Sequence, residues 1–279
     1  MNWGLQVRSA TVGWGGAFDL HVGGLKLDDD GFSRRLPVLG RSGSGKSTLL
    51  YLLTFLKRPK EGWVRWTFPD GSQASWGPRG LDPAASSLSL TDIRRRCFGF
   101  AYQNSTLTPY LTIRENLRYP LELLGGLSKS DMDRKVYAAM DRILLRDEDG
   151  SYIEETSADE FLERYPNELS GGQFQRVALA QAMIHDPYVL FADEPTGNLD
   201  DETRKEVMAL VDRWLNKGDR LIIWVTHHQS DAMDPKVSHW LMVANNRCHL
   251  RLKGGLREPL EGASQENAPE EPPPVTSTE

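Results

Sequence analysis

The chain has 279 residues, 39% hydrophobic and 26% charged, enough apolar content for one large folded domain or two modest ones. The best apolar run, Leu221 to Val225, is far shorter than the ~18 residues a spanning helix needs, which excludes an integral membrane protein. The formal net charge is −6, and residues 257–279 carry six Glu against one Arg, so the remainder is near neutral and no nucleic-acid partner is expected.

Residues 1–10 lack the basic-then-apolar layout of a leader, so the protein is expected to stay in the compartment where it is made. Cys97 and Cys248 form no CxxC, which argues against a disulfide framework or a zinc site of clustered thiolates. In chain order, strand-like runs fall at 5–7, 36–39, 97–102, 188–192, 221–226 and 240–244. Helical patterns lie between them at 46–56, 112–124, 129–145, 170–185 and 201–216. Alternating strands and helices predict an α/β fold with a mainly parallel sheet covered on both faces, and an antiparallel layer from the N-terminal part. The stretch 62–89, rich in Gly, Pro, Ser and Trp, reads as a long hairpin or loop. Its Trp63 and Trp66 suit local sheet packing better than a partner-binding patch. Residues 147–160 carry seven acidic side chains and no basic one, a solvated excursion. The short cluster Arg94-Arg95-Arg96 reads as a solvated face. The tail 257–279, with five Pro, has too little apolar surface to order and is expected to be disordered.

The strongest local signal is Gly40-Arg41-Ser42-Gly43-Ser44-Gly45-Lys46-Ser47, which fits G-x-x-x-x-G-K-[ST] between an apolar run and a helical one. Glycines let successive N–H groups face one point, and the positive end of the following helix, from Ser47 and Thr48 onward, adds to that field. Lys46 would reach the β- and γ-phosphates of a nucleotide, and the Ser47 hydroxyl would ligate Mg²⁺. The apolar strand 188–192 delivers Asp193, at the carboxyl end where open α/β sheets bind ligands. Asp193 would hold the ion, and Glu194 beside it would polarise an attacking water.

Leu169-Ser170-Gly171-Gly172-Gln173 would cap a helix and present N–H groups to an anion. With Asp193 arriving 20 residues after Gln173, this segment resembles the signature of ATP-binding cassette (ABC) ATPases. The resemblance covers residues 5–252 and implies a P-loop NTPase fold with a helical signature subdomain. It implies one ABC ATPase domain over 1–256, with the helical part at about 104–185 and the tail at 257–279. It further implies that Gln103 contacts Mg²⁺ and the attacking water, that Asp200 faces the opposite subunit, and that His227 bonds the γ-phosphate and holds Glu194. His228 stands where the family usually has an acidic residue. The family's adenine-stacking aromatic would be Trp14, 32 residues before Lys46, with Phe18 the competitor.

Within the family, Ala192-Asp193-Glu194-Pro195-Thr196-Gly197-Asn198-Leu199-Asp200 and Tyr165-Pro166-Asn167-Glu168-Leu169 resemble the lipoprotein-releasing, macrolide-exporting and cell-division ATPases. The stretches 62–89 and 147–160, and Gly31-Phe32-Ser33-Arg34-Arg35, depart from compact members. The resemblance implies a homodimer sandwiching two Mg-ATP, each site completed by the partner's Ser170, Gly171, Gly172 and Gln173. It also implies a few-span transmembrane permease partner at the cytoplasmic face of the cell membrane, met by a groove from 104–124. The alternative is a soluble ABC ATPase of translation or DNA repair. Those carry two cassettes per chain, or coiled-coil or cysteine-rich insertions, and this sequence has neither. A non-catalytic regulator would lack an equivalent of Glu194 or His227. A small-solute importer remains a third reading.

Overall fold

The computed structural model describes residues 3–16, 18–28, 32–102, 107–144, 157–197 and 199–253, the side chains of 141 and 142 excepted. Gln103, Asn198, most of the acidic stretch 147–160 and the tail 257–279 lie outside the described residues.

Strand β1 (Gly4–Gly13) buries Leu5 and Val7, then Ala10 and Val12. The period slips at Ser9, whose φ is 43°, where the pairing register shifts between Arg8 and Thr11. That is a bulge, and it bends the strand. Strands β2 (Asp19–Val22) and β3 (Leu25–Asp28) pair antiparallel with the second and first halves of β1. β4 (Arg35–Leu39) is buried throughout and runs into α1 (Lys46–Leu53). The sequence pattern predicts that helix to residue 56. It ends earlier because Phe55, fully buried, takes φ 62° and reverses the chain.

Residues 62–89 form a meander at the sheet's end: β5 (Glu61–Thr67), β6 (Gln73–Gly77) and β7 (Gly80–Leu81), paired antiparallel. Of the two tryptophans expected to pack on the sheet, Trp66 is fully buried, while Trp63 is half-buried with the Arg65 guanidinium 4.7 Å from its ring centroid; Trp76 is buried as well. A helical turn, α2 (Leu90–Asp92), widens into the π-helix Ile93–Cys97 and leads to β8 (Phe98–Ala101). The expectation that Arg94 merely faces solvent is corrected: its Nη2 donates to Phe55 O at 2.6 Å, supporting the strained turn.

α3 (Ile113–Leu124), α4 (Lys129–Ile143) and α5 (Ala158–Leu162) follow. Thr112, Ser128 and Ser157 cap them, each accepting from the backbone three residues on. The described end of the acidic stretch is tied down, with Asp159 accepting from Arg114 and Tyr137. α6 (Gly171–Met183), β9 (Val189–Asp193), α7 (Asp201–Leu215), β10 (Leu221–Val225), α8 (Ser230–Met233), β11 (His239–Ala244) and β12 (Arg247–Leu252) complete the described chain.

The strands join in one sheet of order β7-β6-β5-β1-β2-β12-β11-β4-β10-β9-β8, with β3 on β1. The parallel half is β11-β4-β10-β9-β8, and β12 links it to the antiparallel half through β2. Alternation along the parallel strands sorts side chains to two faces. Val189, Phe191, Leu221, Ile223 and Val225 pack with α1 and the antiparallel strands. Leu190, Ala192, Ile222 and Trp224 pack with α6 and α7. The first layer is aromatic, Trp66 standing edge-on to Phe191 at 6.1 Å and to Phe98 at 5.8 Å. A separate apolar cluster, including Ile113, Leu117, Val136, Phe161 and Val177, joins α3, α4 and α5 to one side of α6. The arrangement is a P-loop-type α/β fold with the loop between β4 and α1 at the carboxyl end of the parallel strands.

Candidate nucleotide site

The site is built on three neighbouring parallel strands. β4 ends at Leu39 and hands over to Gly40–Gly45. β9 ends at Asp193, paired in register with Val225 of β10. Val225 pairs with Val38 of β4 on its other side. The register therefore brings Ser47, Glu194 and His227 to one edge.

Gly45 occupies the N-cap of α1 in the left-handed region, φ 104°, without a side-chain cap. A Cβ there would lie 2.7 Å from Phe18 Cζ, so both conformation and space require glycine. This contact also separates the two candidate aromatics. Phe18 is half-buried beneath the loop, whereas Trp14 is 62% exposed. Trp14 donates from Nε1 to Thr48 Oγ1 at 3.4 Å and meets Tyr51 edge-on at 5.9 Å. Sequence reading passed over Tyr51. The signal was its spacing of three from Thr48, which puts both on one face of α1.

The Lys46 ammonium is buried and donates to Gly40 O and Arg41 O, both at 2.9 Å. Ser44 Oγ is buried without a hydrogen-bond partner among the described residues. An anion accepting from it would remove that cost, of order 1–3 kcal/mol. Ser47 Oγ donates to Asp193 Oδ2 at 2.8 Å. Burial pushes the Asp193 carboxyl above the ordinary range, the Ser47 bond opposes this, Glu194 adds to it and Lys46 opposes it. A hydroxyl beside a desolvated carboxylate is a hard-oxygen pair short of positive charge, which fits Mg²⁺.

Glu194 is itself strained, with φ 49°; its N–H donates to Val225 O at 3.1 Å and its carbonyl accepts from Gly197 at 3.1 Å. Such a conformation costs roughly 1–3 kcal/mol and clusters at functional positions. Glu194 Oε2 lies 3.8 Å from His227 Nδ1. The two histidine rings are 4.2 Å apart, and the His228 backbone N–H donates to Thr226 Oγ1 at 3.1 Å. Burial, then Arg204 and His227, hold the His228 imidazole below its ordinary value against Asp231 and Asp201. Asp231, three residues on, pairs with Arg204 and accepts from Trp224 Nε1 at 3.2 Å.

The signature segment starts α6. Ser170 Oγ accepts from Gln173 N at 3.3 Å while Gln173 Oε1 accepts from Ser170 N at 2.9 Å. Gly171 and Gly172 follow without side chains over the helix's positive end. A Cβ on Gly172 would lie 2.5 Å from Thr203 Cγ2, so α6 and α7 approach closely there. Asp200 caps α7, accepting from Glu202 N and Thr203 N at 3.1 and 2.9 Å. The bond from Thr203 N leads the effects that hold its carboxyl low. Gln103 lies outside the described residues.

The sequence profile of the family described as "ABC transporter" matches residues 33–197. The chain belongs to that family. The lipoprotein-releasing system ATP-binding protein LolD of Aquifex aeolicus is 38% identical over 195 residues, 70% of this chain and 75% of LolD. The macrolide export ATP-binding/permease protein MacB of Syntrophobacter fumaroxidans is 36% identical over 226 residues, 81% of this chain and 27% of that protein. This chain thus spans only 27% of that MacB relative. A solved dimeric structure of MJ0796, a bacterial ABC transporter cassette, is 26% identical with a TM-score of 0.66, covering 89% of this chain and 98% of that one. A second structure of that cassette, dimeric and bound to ADP and Pi, has a TM-score of 0.67 at 26% identity. As an ABC cassette this chain is an ATPase. Among the described residues no helix is long and apolar enough to cross a membrane.

Proposed function

We propose that the chain works as a homodimer that closes around two Mg-ATP and drives a transmembrane permease of few spans from the cytoplasmic face of the membrane. The observation that carries the reading is the 2.8 Å bond from Ser47 to the desolvated Asp193, with Lys46 beside it and the Glu194–His227 pair at 3.8 Å. Gly40, Arg41, Ser42, Gly43, Ser44, Gly45 and Thr48 cradle the phosphates, and Trp14 stacks the adenine. Ser170, Gly171, Gly172, Gln173 and Asp200 act on the nucleotide held by the partner subunit. The export role is suggested by the LolD and MacB relatives, whose names describe lipoprotein release and macrolide export. The dimer is suggested by MJ0796.

In the reaction, a water oxygen attacks the γ-phosphorus and the bond to the ADP oxygen breaks in line with it. Glu194 orients that water and accepts its proton. His227 holds the Glu194 carboxylate and donates to a γ-phosphate oxygen. Lys46, already pinned over the loop, places its charge on the β- and γ-oxygens. Ser47, Asp193 and Gln103 would hold Mg²⁺, which when bound neutralises charge on the phosphates.

The test is recovery of Glu194→Gln with ATP from detergent-solubilised membranes. A few-span membrane protein that co-purifies only with ATP supports the reading. A dimer that traps ATP and recovers no membrane protein, even when supplied with whole-membrane extract, moves the assignment to the soluble ABC ATPases.

A further inference from the structure

Trp14 is the most exposed tryptophan among the large apolar side chains at the surface, yet its ring is not loose. Lys57 Nζ sits 4.2 Å from the ring centroid, a cation–π contact. Thr48 holds the indole N–H edge at 3.4 Å, and the Tyr51 ring packs perpendicular to the indole with centroids 5.9 Å apart. Held by Lys57, Thr48 and Tyr51, the residue is still 62% exposed, enough open ring surface for a stacked base.

The position of Lys57 is fixed from outside the loop. Phe55, at φ 62°, turns the chain back after α1, so that the N–H groups of Leu56 and Lys57 both donate to Tyr51 O at 2.9 Å. Trp76 of β6 stacks on Phe55, ring centroids 5.4 Å apart and planes 15° apart, and donates from Nε1 to Lys57 O at 3.0 Å. Arg94 holds Phe55 O at 2.6 Å. The meander 61–81 thus braces both ends of the Phe55–Lys57 turn.

Resting on the reading that Trp14 stacks the adenine, we infer that Lys57 is a positioning residue for the nucleotide base, clamping and polarising the Trp14 indole from one face so that the other accepts the purine. The Trp76 meander is its brace. A cation on one face draws electron density through the ring and favours an electron-rich purine on the opposite face. The contribution belongs to base binding and not to phosphoryl transfer.

The experiment compares wild type with Lys57→Met, Lys57→Arg, Trp76→Phe and Trp14→Ala. ATPase kinetics are combined with calorimetric binding of Mg-ATP and of Mg-tripolyphosphate, which has no base. Lys57→Met is expected to raise KM for ATP and its Kd about two- to fivefold, with kcat and tripolyphosphate affinity unchanged. Lys57→Arg should restore the wild-type values, since guanidinium also stacks on indole. Trp76→Phe, which keeps the stack on Phe55 and loses the bond to Lys57 O, should shift KM the same way by less. An equal loss of ATP and tripolyphosphate affinity in Lys57→Met would make Lys57 a general phosphate attractor and overturn the inference. So would an unchanged KM while Trp14→Ala weakens ATP binding. If Trp14→Ala leaves ATP affinity intact, the stacking reading itself fails and the inference with it.

Discussion

Ser47 and Asp193 are 146 positions apart in the chain and share a 2.8 Å hydrogen bond. The bond joins a helix start to a strand end through the β4–β10–β9 register, and it opposes the burial that pushes the Asp193 carboxyl up. Replacing Asp193 by Asn keeps an acceptor for Ser47 and removes the desolvated charge. Hydrolysis is expected to fall by about two to three orders of magnitude, the scale of losing a preorganised electrostatic group. The ligand-free protein should also change its pH response. A carboxyl raised in the folded state holds its proton longer than in the unfolded chain, so the wild type loses stability as pH rises through the raised Asp193 value. Thermal melts of the Asn variant, taken without nucleotide or metal, should lack that decline.

Glu194→Gln should bind ATP and hydrolyse it about 10²–10⁴-fold more slowly, the usual contribution of a positioned general base. Size-exclusion chromatography with ATP should show a stable dimer. Wild-type turnover in this variant would remove Glu194 from its role.

A Cβ on Gly172 would lie 2.5 Å from the Thr203 methyl, across the α6–α7 contact. Gly172→Ala should cost about 1–3 kcal/mol, as overpacking does. Thr203→Ser removes the clashing methyl while keeping a hydroxyl for Asp200 Oδ2, which Thr203 Oγ1 bonds at 2.8 Å. The double variant should recover most of the lost stability and ATPase activity. No recovery would place the cost of the Gly172→Ala substitution elsewhere than this contact.

His185 supplies an acid-side prediction. Burial holds its imidazole below the ordinary value of 6.5, and its Nε2 bonds Phe98 O at 3.0 Å. The unfolded chain takes up the proton first, so stability conferred by the neutral ring is present above about pH 6.5 and declines as pH falls below it. His185→Gln, which retains an N–H donor, should flatten the fall in melting temperature below about pH 6.5. A profile identical to wild type would mean that another group controls the acid limb.

The glycine-rich turn between β4 and α1, the Asp193 strand and the Ser170 cap were legible in the sequence because each depends on local chemistry: glycines at a turn, an apolar run ending in acids, a Ser–Gln capping box. The aromatic layer was half legible. The richness of 62–89 in Trp marked it, but nothing local states that Trp66 packs against Phe191 of a strand more than a hundred residues later. The early end of α1 was hidden because a phenylalanine at φ 62° goes against its own preference. Tertiary bonds from Arg94 and the stack on Trp76 hold it there. The link from β12 to β2, pairing Arg247 with His21, is likewise set by topology and not by pattern.

β4 carries the loop that gives the site its charge, yet its hydrogen-bonding neighbours are β10 and β11, both in the last quarter of the described chain. During synthesis the segment Arg35–Leu39, apolar at Leu36, Val38 and Leu39 and buried at every position, emerges long before either neighbour exists. Until then it is an unpaired, sticky strand edge of the kind that aggregates or recruits chaperones. A nascent chain stalled before residue 221 therefore holds the full phosphate-loop sequence without the walls that shape it. Nucleotide binding would arise in one late step, as β10 and β11 leave the ribosome and close on either side of β4.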